Sequence, residues 1–129
     1  MKKNIHTIAL FFVVLFPLQN FYTQELPPIN IFTTEDYGGG NQNWSISQAA
    51  NKYIYVANNK GLLEYNGASW HLYAAPNETI IRSVNCINDK IFTGFFRGFG
   101  FWEKNDFGLL EFTSIVKKKG IKMFEDEQI

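Results

Sequence analysis

The sequence predicts an all-β protein, and three observations lead to that prediction. Short apolar segments alternate with Gly, Asn and Asp along most of the chain, which is the pattern of strands and turns. Aromatic residues make up 17% of the chain, and these large side chains favour strands that are covered on both faces. Residues 51–65 also return in similar form as residues 88–102. The chain is therefore expected to be built from repeated β units.

The internal repeat keeps the character of each position. Under the 37-residue shift, Gly61 falls on Gly98 and Tyr65 falls on Trp102. Repeats of about 40 residues are typical of arrays in which each unit buries its apolar face against a neighbour. This pattern favours a repeat architecture.

Residues 1–23 are predicted to be a signal peptide that directs export. Lys2 and Lys3 form a positive start, residues 8–16 are apolar, and Pro17 ends the run. The apolar run is too short for a membrane-spanning helix, which needs about 20 such residues. Cleavage near Thr23 is expected, with an uncleaved anchor as the alternative.

The rest of the chain divides into a lead-in segment, two units and a connection. The lead-in spans residues 24–43, the first unit 44–78, the second unit 79–114, and the connection 115–129. The first unit is predicted to hold strands at residues 44–48, 53–57, 62–65 and 69–73. The second is predicted to hold strands at residues 81–87, 90–95, 99–103 and 109–113. Asn66-Gly67 is a hairpin signal, no helix is expected, and residues 124–129 resemble the start of a third unit.

Four antiparallel strands in about 40 residues, repeated, describe a blade of a β-propeller. The prediction is therefore a propeller fragment of about two four-stranded blades after the signal peptide. Stacked repeats generally need about three units before neighbours bury enough surface, so low stability in isolation is expected.

The first unit and the second carry a family resemblance. The text "GGGNQNWSISQAANKYIYVANNKGLLEYNGASWHLY", continued by "KIFTGFFRGFGFW", resembles the two-component-regulator propeller family. Residues 61–67 are its most specific part. The resemblance implies the N-terminal part of a Bacteroidetes-type sensor with an exported propeller, a triple-tyrosine domain and one membrane helix. A histidine kinase or a LuxR-like DNA-binding domain would follow, and the propeller would lie on the periplasmic side of the inner membrane.

The expected function is that of a sensor domain for an extracellular ligand, for which a glycan is one candidate. The sequence does not assign the ligand-binding residues, because the ligand pocket of a propeller gathers loops from many blades; Trp44, Arg82 and Arg97 are named as candidates without an assignment. The expected partners are the remaining blades of a parent chain. A protein-interaction scaffold without sensing, or a non-functional truncated remnant, is the alternative, and a propeller hydrolase or lyase is the less favoured one.

Charge and cysteine usage exclude several other classes. Twelve basic and twelve acidic residues balance, so the chain has no electrostatic footprint for nucleic acid. Lys117, Lys118 and Lys119 are interpreted as a solvated connection. Cys86 is expected to be a small buried hydrophobe, and His71 is the one histidine outside the signal. We expect no enzyme activity from this fragment, no cofactor and no metal site.

Overall fold

The computed structural model describes residues 25–122. The chain divides into the units Met1–Asn30 and Ile31–Ile129. The predicted signal peptide and the predicted start of a third unit at residues 124–129 lie outside the described residues. Residues 25–30 are exposed and have no regular secondary structure. The account below concerns the second unit from Ile31 to Lys122.

Eight strands form two antiparallel sheets of four strands each, which confirms the all-β class. The first sheet has the order β1-β2-β3-β4, with β1 Asn43–Gln48, β2 Ile54–Asn58, β3 Gly61–Tyr65 and β4 Trp70–Ala74. The second has the order β5-β6-β7-β8, with β5 Ile81–Ile87, β6 Lys90–Phe95, β7 Gly98–Lys104 and β8 Leu110–Ser114. Each of the eight predicted strands overlaps one of these.

The sequence repeat extends to the strand register. Asn58 pairs with Gly61 and Phe95 pairs with Gly98, so the two central hairpins close at equivalent positions. The first strand of each sheet has a break in register, between Asn43 and Ser45 and between Ile81 and Ser83. A β-bulge adds one residue to one strand and redirects the side chain there. Trp44 and Arg82 are the two bulge residues.

The core lies between the two sheets. Tyr55, Ala57 and Leu62 of the first sheet pack with Val84, Ile91 and Trp102 of the second. The backbone N–H of Cys86 donates to the Ser47 hydroxyl at 3.0 Å, which joins β5 to β1. Burial of this apolar surface at about 25 cal/mol per Å² is the main force that holds the sheets together.

The sheets stack front to back. Tyr55 and Ala57 of the first sheet face the second sheet. Their counterparts in the second sheet are Phe92 and Gly94. Side chains alternate along a strand, and Ile91 faces the core, so Phe92 and Gly94 point away from the first sheet. A two-fold sandwich would instead bring equivalent faces together. The stack consequently has two different outer faces, one on each sheet.

The expectation that the chain contains no helix is wrong. Two short α-helices, α1 Thr34–Tyr37 and α2 Ile115–Lys119, and a 3-10 turn at Pro76–Glu78 lie outside the strands. Helices this short are defined by their ends, which an apolar periodicity does not report. Thr33 and Asp36 form a capping box at α1. No helix within residues 25–122 has the length and hydropathy to cross a membrane.

Candidate binding surfaces

Two of the three residues named as candidates for ligand binding lie together. The guanidinium carbon of Arg82 is 4.9 Å from the centroid of the Trp44 ring, a cation–π contact. The Trp44 indole N–H donates to Asn59 Oδ1 at 2.8 Å, which orients the ring. Both residues are bulge residues of neighbouring first strands, so the repeated bulge aims both side chains at the same place. Trp44 as a whole residue is 40% exposed.

Trp44 also lines a cavity of about 430 Å³ on the outer face of the first sheet, which we call the aromatic pocket. Its floor is formed by Val56 and Leu63, and its walls include Phe32, Tyr37 and Trp70. The Phe32 and Trp70 rings meet edge to face at 5.4 Å. Pockets of this size and apolar character hold small ligands.

Trp70, which lines the aromatic pocket, has an unpartnered hydrogen-bond donor. The indole Nε1 of Trp70 is buried and has no partner among the described residues. Buried donors of this kind are rare in native proteins because each costs about 1–3 kcal/mol. A hydroxyl or carbonyl oxygen of a bound molecule, or of a packed neighbour, would satisfy it.

A third feature is a buried polar cluster between the sheets. The Tyr55 hydroxyl donates to Glu64 Oε2 at 2.8 Å, and Lys104 Nζ lies 3.8 Å from the same oxygen. Burial, followed by the carboxylate of Glu64, raises the pKa of Tyr55 above its ordinary value. The phenol therefore stays protonated and serves as a donor. Sequence reasoning missed this cluster, although Glu64 is the single charged residue of an otherwise apolar strand.

Tyr55 and Lys104 border a cleft of about 450 Å³ between the sheets. Lys90 and Glu103 form an ion pair at its edge, and Lys90 Nζ also lies 3.9 Å from the centroid of the Phe101 ring. The side chains of this exposed pair are 41% and 49% accessible. Such pairs contribute little to stability.

The remaining candidate, Arg97, lines a different cavity from Trp44. It lies in the β6–β7 turn with φ 57 and lines a separate cavity beside α2. Cys86, expected to be buried, is half-buried, and the burial that it has raises the pKa of its thiol. Within residues 25–122, no group of three or more His, Cys, Asp or Glu is placed to hold a metal ion.

Comparison of this chain with family models, with curated proteins and with solved structures finds no match. Its function is therefore inferred from its own residues and geometry.

Proposed function

We propose that the two sheets are the first blades of an exported β-propeller, which forms the ligand-sensing part of a transmembrane signalling or transcription regulator. The observation that supports this most is the front-to-back stack of two four-stranded meanders with the same register and the same bulge. Head-to-tail packing continues by adding further units, and it ends without exposed faces when the units close into a ring.

The resemblance of residues 61–67 to the two-component-regulator propeller family supports the same proposal. In the structure this segment includes β3 and the following turn, where Asn66 accepts hydrogen bonds from the backbone N–H groups of Ala68 and Ser69, both at 2.9 Å. The segment therefore has a structural reason for its Asn and Gly residues. Kinase or DNA-binding activity would belong to domains that follow the propeller in such a protein.

A glycan is the ligand class that the Trp44 region favours. Exposed indole faces such as that of Trp44 stack on sugar rings, and the walls of the aromatic pocket add further aromatic surface. Arg82 adds a cation next to the Trp44 ring, which would suit an acidic sugar. Binding would shift the equilibrium between signalling states of the parent protein.

The first experiment is to sequence the gene beyond the codon for Ile129. Further repeats of about 40 residues followed by a membrane helix and a signalling domain are the expected result. A stop codon directly after Ile129 would contradict the sensor proposal. A remnant or a self-associating pair of sheets would then be the better account.

A protein-interaction scaffold is the second candidate, and the outer face of the second sheet favours it. Phe92, Phe99 and Phe101 are only half-buried on that face, and aromatic patches of this kind often bind other proteins. A glycan-array screen of the secreted chain separates the two candidates. Sugar binding that is lost in Trp44→Ala supports sensing, whereas absence of binding to any glycan supports the scaffold.

A further inference from the structure

The cavity beside Arg97 combines positive charge with an aromatic floor. Arg97, Lys117 and Lys118 contribute the charge, and the floor is formed by Phe95 and Phe112. We call this cavity the Arg97 pocket; its volume is about 650 Å³, within the range of small-molecule sites. Among the described residues that line it, none is acidic.

The backbone places the three basic residues around the cavity. Arg97 occupies a two-residue turn between paired Phe95 and Gly98, in the left-handed region at φ 57. The Ser114 hydroxyl accepts from the backbone N–H of Lys117 at 3.2 Å and begins α2. Gly120 ends that helix with φ 63. The two lysines are thus held on a capped turn next to the cavity.

Within the part of the chain that the structure describes, no carboxylate forms an ion pair with these three cations. The ion pairs found within residues 25–122 involve Lys90 and Lys104, not the basic side chains of the Arg97 pocket. Three like charges around one cavity repel one another, and a bound anion relieves that repulsion. An arginine beside lysines also offers both a planar fork of donors and point charges for a carboxylate or phosphate group.

The floor is a specific apolar surface. The Phe95 and Phe112 rings lie 5.6 Å apart in a tilted arrangement. Gly98 allows this placement, because a Cβ atom there would overlap the Phe95 ring. An inorganic anion would leave this surface exposed to water, whereas a ligand with an apolar body would cover it.

The equivalent position of the first sheet is occupied by a polar contact within the protein. Asn58 stands where the second sheet has Phe95, and its side chain binds the incoming loop through Gly40 and Gln42. The space is therefore used by the protein itself. The Arg97 pocket is a feature of the second sheet and not an automatic result of the repeat.

We propose that the Arg97 pocket binds a small amphipathic anion, with the acidic group among Arg97, Lys117 and Lys118 and an apolar ring or chain on Phe95 and Phe112. The acidic group is a carboxylate, sulfonate or phosphate. The site lies within residues 76–118, so this inference does not depend on the existence of further blades.

Calorimetric titration of the full chain with 2-naphthoate tests the proposal. We expect saturable binding that weakens when sodium chloride is raised from about 50 to about 500 mM, since salt screens exposed charges. The neutral analogue 2-naphthalenemethanol and inorganic phosphate should each bind about tenfold more weakly, because the alcohol lacks the acidic group and phosphate lacks the apolar ring. Equal binding of either control compound would overturn the proposal.

Variants locate the site. Arg97→Asn removes the charge and tolerates the left-handed backbone, and Lys117→Gln with Lys118→Gln preserves α2; each should weaken 2-naphthoate binding about fivefold. Lys60→Gln, at the position equivalent to Arg97, is the matched control and should leave binding unchanged. Thermal unfolding of each variant checks that it is folded. Folded variants that bind as well as the parent chain, or a control that binds as weakly as Arg97→Asn, would refute the assignment.

Discussion

The two sheets share a backbone plan and differ in the chemistry placed on it. Tyr55 and Glu64 of the first sheet are hydrogen-bonded to each other. The equivalent residues of the second sheet are Phe92 and Phe101, whose ring centroids are 5.9 Å apart. The polar pair is covered by the second sheet, whereas the aromatic pair lies on an outer face. The Glu64 carboxylate is tolerated in the interior because the Tyr55 hydroxyl donates a hydrogen bond to it and Lys104 forms an ion pair with it.

The ends of the second strands show the same contrast. Asn58 is fully buried, and its Oδ1 accepts from the backbone N–H groups of Gly40 and Lys60. Its Nδ2 donates to the carbonyl oxygens of Gly40 and Gln42 in the loop before β1 and shares these two hydrogens with Asn43 Oδ1. Phe95 has no polar atom and instead forms the floor of a cavity. The two sheets therefore keep the same strand register although polar and aromatic side chains replace each other at equivalent positions. The chemistry of each side chain fits the segment that packs against its own sheet.

The largest expected effect distinguishes two equivalent glycines. Gly61 has φ 150, and in Gly61→Ala the new Cβ would overlap the backbone carbonyl oxygen of Tyr73. In Gly98→Ala the new Cβ would overlap the Phe95 ring. Backbone cannot move aside as a ring can, so we expect losses of about 4 kcal/mol and about 2 kcal/mol in the free energy of unfolding. Urea unfolding measures both. Equal losses would contradict the difference drawn between the sheets.

The next effect concerns the loop anchor. Asn58→Ala leaves two backbone donors and two backbone acceptors without their partner, and it should lower the free energy of unfolding by about 3 kcal/mol. Asn59→Ala is the matched control, because it removes one exposed bond to Trp44 and should cost less than about 1 kcal/mol. Thermal or urea unfolding compares them. A small loss for Asn58→Ala would show that the loop does not depend on it.

A pH effect should arise from the first sheet. Burial, and then Glu64, raises the pKa of both Tyr55 and Tyr73 above the ordinary value of 10.0. The unfolded chain therefore releases these protons first, and the free energy of unfolding should fall as pH rises above about 10. Tyr55→Phe should cost about 1 kcal/mol near neutral pH and reduce this alkaline slope.

Urea midpoints between pH 8 and pH 11, within the range that tyrosine titration covers, check the slope for both chains. An unchanged slope in Tyr55→Phe would exclude Tyr55 as its source.

The smallest effect compares the two ion pairs. Glu103→Gln breaks the exposed pair with Lys90 and should change the free energy of unfolding by about 0.5 kcal/mol or less. Lys104→Met leaves Glu64 buried with only Tyr55 as its partner and should cost about 1 kcal/mol. Chemical unfolding at low salt measures both. The reverse order would mean that Lys104 does not contribute to the cluster.

Much of the local structure could be predicted from the sequence. The eight strands follow from apolar segments between Asn, Asp and Gly residues, and the turn at Asn66-Gly67 is where it was expected. The sequence also predicted core packing for seven aromatic residues of the strands. Tyr55, Phe95 and Trp102 are buried, whereas Tyr53, Phe92, Phe99 and Phe101 are only half-buried. The short helices were missed because their caps are single residues, such as Ser114, that carry no periodicity.

The candidate sites could be predicted only in part. Trp44 and Arg82 were singled out separately, and their contact at 4.9 Å depends on two bulges that no local pattern reveals. Arg97 was singled out without the lysines that share its pocket, because Lys117 and Lys118 were interpreted as a solvated connection. Both lysines are exposed, and they also line the cavity.

The sequence by itself determined the strands, the turns and the repeat, because alternation, turn residues and spacing act over a few neighbouring positions. The tertiary structure decided that the sheets stack front to back and that Glu64 has Lys104 as its partner across the interface. It also decided which aromatic faces are covered. These features join residues far apart in the chain, and they depend on the packing of whole sheets, which selects among arrangements that share the same local pattern.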